Sequence, residues 1–77
     1  MSLLDRATLD AALIAAHEAG DPAMLAALYR KAAETLERLG QVDAALFFFT
    51  QAYVFALDAG LAEADDVGRI LRANGRL

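Results

Sequence analysis

An all-α domain of four antiparallel helices joined by short Gly turns is the fold this sequence predicts, and three observations predict it. Gly20, Gly40 and Gly60 stand twenty residues apart, and each follows an apolar, helix-favouring run, so they read as positions just past helix ends. Apolar residues recur three and four apart rather than in alternation. The composition is 58% hydrophobic against 23% charged, which excludes a disordered chain, and much of the apolar share is Ala, the best helix former.

The first helix is expected over residues 3–19, with Ser2 and Asp5 offering a start that resembles a capping box. Asp21-Pro22 opens the second, over residues 22–39, with Asp as N-cap and Pro at the first helical position, where its missing N–H costs nothing. Met24, Leu25, Leu28, Tyr29, Ala32, Leu36 and Leu39 form its apolar stripe; Arg30, Lys31, Glu34, Glu37 and Arg38 form the polar one.

The third helix, over residues 42–59, is the one around which the others are expected to wrap. Asp43, Thr50, Gln51 and Asp58 fall in a narrow arc at 100° per residue, and nearly every other position is apolar. Such a helix calls for neighbours on about three sides, and Phe48, Phe49 and Phe55 are the largest side chains on offer to a core. A fourth helix, over residues 62–73, carries Glu63, Asp65 and Asp66 early and Arg69 and Arg72 late, the charge order that suits a helix dipole. Its apolar stripe is short and contains Gly68, which either weakens the helix or permits close backbone approach, so this helix is expected to fray first. Connections of one to three residues force each helix back beside its predecessor.

Seventy-seven residues make one domain with a thin core, so close helix packing, a second copy or another partner must supply further stability. A net charge of −4 without a Lys/Arg cluster argues against nucleic acid. Residues 44–57 form the longest uncharged run, too short for the roughly 20 apolar residues that span a bilayer. No export signal is recognisable and there is no Cys, so a cytoplasmic location is the default expectation. Met1, Ser2 and Leu3 carry no weight, because they could be an expression remnant; an initiating Met and an end soon after Asn74-Gly75 favour a whole protein.

The spacing of helix ends implies a two-helix unit of forty residues. Residues 11–20 align with residues 51–60, with agreement at Ala12 and Ala52, Ala16 and Ala56, Ala19 and Ala59, and Gly20 and Gly60. Tyr29, Ala33, Leu36, Gly40, Ala45, Phe49 and Ala52 then sit at spacings that resemble the tetratricopeptide repeat, over residues 26–57. Ala33 and Ala45 would let two backbones approach while Tyr29 and Phe49 fill the space beside them. The sequence departs from the family at Leu57, where a Pro usually ends the second helix. The resemblance implies a protein-interaction module whose groove is lined by Ala27, Arg30, Glu34, Glu37 and Arg38. Glu34 stands where an Asn would be wanted for clamping a carboxylate tail, so that mode is not expected.

Phe47 and Val54 share the stripe of Asp43, Thr50, Gln51 and Asp58. Either the first or fourth helix covers them, or they form a seam, seven residues apart, for a partner or a second copy. Sequence weighs the two equally. His17, the only histidine, is expected to be exposed or to face a carboxylate; no nucleophile or second ligand accompanies it as a base or metal ligand. Glu63, Asp65 and Asp66 lack the Gly-containing loop of a cation site and read as a solvated helix start. Neither a cofactor nor a catalytic group is expected.

The leading expectation is therefore a non-enzymatic module that presents Arg30, Glu34, Glu37, Arg38, Phe47 and Val54 to a protein partner or to itself as a homodimer. The alternative is a structural homo-oligomer whose tetratricopeptide likeness is convergent. A small helical enzyme or ligand carrier, which would need an open pocket among Phe48, Phe49, Tyr53 and Phe55, is a distant third.

Overall fold

A computed structural model describes residues 3–77, with side chains from residue 6 onward; Ser2 and the Asp5 side chain, the expected start of the first helix, lie outside the described residues. Four helices follow one another: α1 (Leu3–Ala19), α2 (Pro22–Arg38), α3 (Val42–Asp58) and α4 (Ala64–Ala73). The described residues contain no strand, and the fold is all-α.

Local chemistry sets the ends. Asp21 accepts a hydrogen bond from the Met24 N–H at 3.0 Å, so α2 starts at Pro22 with one of its orphan donors satisfied. At the other end Gly40 takes φ 76°, which brings its N–H to the Glu37 carbonyl and the Gln41 N–H to the Leu36 carbonyl, at 3.0 and 2.9 Å. These two bonds are the Schellman pattern, and they stop the helix while occupying two of the carbonyls in its last turn. The same pair of bonds recurs at Gly20, Gly60 and Gly75. After Gly60, residues 62–63 form a turn, so α4 begins two residues later than its charge pattern suggests.

Each helix packs on its chain neighbours. The α2–α3 contact is by far the largest, α4 packs on α3, and α1, among the described residues, packs on α2. Arg76, just past α4, reaches Asp43 at the start of α3 at 3.0 Å, as an antiparallel return requires. The Cα atoms fill a slab of 31 × 30 × 13 Å. The expectation that all other helices wrap around α3 is therefore corrected: among the described residues α1 does not pack its backbone on α3, and its His17 ring meets α3 edge-on at Phe55 with centroids 5.7 Å apart. Periodicity shows which face of a helix is apolar but leaves open which neighbour covers it.

Small residues make the main contact close. Ala33, Ala45 and Ala52 are fully buried and let α2 and α3 approach, and Phe49, at 1% exposure, fills the space between them and Val67 and Leu71 of α4. A second cluster joins Ala26, Ala56 and Ala64 beneath Phe55 and Leu61. In α4, a Cβ on Gly68 would lie 3.1 Å from Tyr53 Cε1, so close approach is what this glycine provides.

Candidate interaction surfaces

The outer face of α3 lies opposite the helices it packs on. Phe47 is 59% exposed, Val54 51% and Leu57 55%, which resolves the two readings of Phe47 and Val54: neither α1 nor α4 covers them. With Thr50 they occupy positions i, i+3, i+7 and i+10, the spacing of a coiled-coil seam. Asp43 and Asp58 bound the seam, and Asp43 is held by Arg76. Leu57 was not picked out from the sequence as part of this seam; its three-residue spacing from Val54 was the available signal.

The polar face of α2 is less uniform than its sequence suggests. Arg30 is half-buried and bonded to Glu63 at 3.3 Å, with Glu34 at 4.0 Å, so it ties α2 to the entry of α4. Glu63 is thus part of an inter-element ion pair as well as of a helix start. Glu34, Glu37 and Arg38 are exposed, and the Arg38 guanidinium donates to Thr35 Oγ1 at 3.3 Å. The structure brings Glu34, Glu37 and Arg38 onto one surface of α2 and leaves Phe47 and Val54 on another, borne by α3.

Sequence reading missed a cleft of about 430 Å³ between α1 and α2. Leu9, Ala12 and Leu28 form its apolar floor; Lys31, Thr35 and Arg38 stand along its rim. A second hollow of about 340 Å³ lies where α1 faces the end of α2 and the start of α3, and includes Leu13, Leu36 and Phe48.

His17 faces aromatic rings, and its Nε2 lies 3.4 Å from Tyr29 Oη. Asp10, two turns away, is beyond easy reach, whereas Tyr29 stacks on Phe55 at 5.7 Å and offers its edge. The rings that a ligand carrier would need around an open pocket are used otherwise: Phe49 is buried, Tyr53 packs on Gly68, and Phe48 and Phe55 flank Tyr29. Among the described residues no three His, Asp or Glu side chains are grouped to hold a metal ion, and no helix is long and apolar enough to cross a membrane.

No known protein family, curated protein or solved structure compared with the chain matches it.

Proposed function

We propose that this chain is a non-enzymatic protein-interaction module, a tetratricopeptide-like hairpin of α2 and α3 flanked by α1 and α4, that docks another protein on the outer face of α3. The observation that carries the reading is the exposure of Phe47, Val54 and Leu57 in one seam. Burying a Phe is worth about 1.5–3 kcal/mol, and a domain with so thin a core leaves this gain unused on folding. Association recovers it. The exposed carboxylates and Arg38 of α2 offer a second, polar surface of the kind that steers a partner rather than anchors it.

The test places a photo-crosslinking residue at position 54 in cells that express the protein. A discrete adduct that disappears with Phe47→Asp, in a variant of unchanged helicity, supports the reading; no adduct, or one indifferent to Phe47→Asp, overturns it. The structural homo-oligomer is a second reading, favoured by the seven-residue spacing of Phe47 and Val54, which suits pairing with a copy of itself. It predicts an adduct of twice the chain mass and a solution mass that halves on dilution together with helicity.

A further inference from the structure

We propose that the cleft between α1 and α2 receives a helix from a partner protein whose apolar stripe is flanked by carboxylates. The proposal rests on the reading of the chain as an interaction module, and it adds a second surface and the chemistry of what binds there.

The first part of the argument is the internal repeat. At an offset of forty residues, Leu9, Ala12 and Ala16 of α1 fall on Phe49, Ala52 and Ala56 of α3. Phe49 and Ala52 are each 1% exposed, because α3 has a helix on either side, α2 before it and α4 after it. Among the described residues α1 has only the helix after it, and Leu9 and Ala12 are accordingly half-buried and line the cleft. The unfilled space therefore corresponds to the place that α2 occupies against α3, and its natural occupant is an α-helix lying along α1 and α2.

The second part is charge. Among the described residues no carboxylate lines the cleft, although the chain carries a net charge of −4. Lys31 and Arg38 both stand on its rim, and among the described residues neither is in an ion pair. They are two turns apart, about 10 Å along the axis, so carboxylates seven residues apart on a docked helix would meet both. The opposite end of the stack differs. Asp65, Asp66, Arg69 and Arg72 cover the free side of α4 with both signs, and Arg69 is paired with Asp66. A polar outer face of that kind closes a helical stack, whereas an apolar floor with an unpaired cationic rim leaves one open.

Two synthetic helical peptides of about five turns test this; they share one Leu stripe and differ only in having Glu or Lys beside it. Fluorescence anisotropy with the full chain should show the Glu peptide binding at least about tenfold tighter than the Lys peptide. K31E/R38E should invert that preference, and Leu28→Glu should abolish binding of both at unchanged helicity. Phe47→Asp should leave peptide binding intact, which separates failure of this proposal from failure of the α3 seam. Absence of binding by either peptide, equal binding of both, or indifference to K31E/R38E would overturn it. So would a chain whose own dimer, dissociated by Leu28→Glu, already fills the cleft.

Discussion

Gly40 and Gly68 are both glycines by necessity, and for opposite reasons. At φ 76°, Gly40 needs the freedom of a residue without Cβ, although nothing lies within 4 Å of where that carbon would be. Gly40→Ala should therefore cost about 1–2 kcal/mol, the penalty of a left-handed Ala. Thermal unfolding would register it as a drop of roughly 4–8 °C per kcal/mol for a domain of this size. Gly68 has ordinary helical backbone and a crowded surrounding, with the Tyr53 ring 3.1 Å from the missing Cβ. Gly68→Val should cost about 1–3 kcal/mol by overpacking, read from the midpoint of urea unfolding. If Gly68→Val were neutral, the contact between Tyr53 and α4 would be looser than its geometry implies. Arg30 belongs at the same scale. Its pairing with Glu63, thirty-three residues away, could not be read from an α2 stripe in which Glu34 is the visible partner.

The helices themselves were legible because their punctuation is local. Asp21-Pro22 and a glycine after each apolar run act within five residues of where they stand, and the ends of the first three helices fall within one residue of expectation. What covers each helix was not legible, because that depends on which neighbour lies where. In α3 nearly every position is apolar, so the sequence alone could not separate Phe49, at the centre of the core, from Phe47, two residues earlier and exposed. That difference yields a prediction. Phe47→Gln and Val54→Gln should each change the stability of the isolated chain by less than about 0.5 kcal/mol, as exposed positions do, whereas Phe49→Ala should cost about 3–5 kcal/mol. Chemical denaturation of the three variants at concentrations low enough to keep the chain monomeric decides it. A large loss at Phe47 under those conditions would mean that the ring is covered within a single chain. The α1–α2 cleft escaped the sequence reading for the same reason: Leu9, Ala12, Lys31 and Arg38 belong to different stripes and become one surface only through packing.

In the whole molecule, stability should follow the order in which the helices are held. Among the described residues each helix packs its backbone closely on its chain neighbours alone, so the domain behaves as a short linear stack whose ends open before its middle. The shortest helix, α4, was expected to fray first, but length is outweighed here by what the helix buries. Val67 and Leu71 are both almost wholly covered, Gly68 admits Tyr53 closely, and Arg76 and Glu63 tie both ends of α4 back to the stack. In α1, by contrast, Ala16 is the one fully buried residue among those whose side chains are described, and Leu9 and Leu13 are covered only in part. Burial of a Leu or Val contributes about 1.5–3 kcal/mol, against about 0.8 kcal/mol for a methyl group, so the ten residues of α4 are held more firmly than residues 6–19 of α1. Native-state hydrogen exchange should accordingly rank amide protection as α2 and α3 first, α4 next and α1 last, with α1 opening while the α2–α3 contact persists. Addition of a peptide that fills the α1–α2 cleft should raise protection in α1 above all, since there it supplies the second neighbour that α3 already has. Equal protection in all four helices would instead mark the chain as one cooperative unit, in which α1 is held as firmly as the hairpin it flanks.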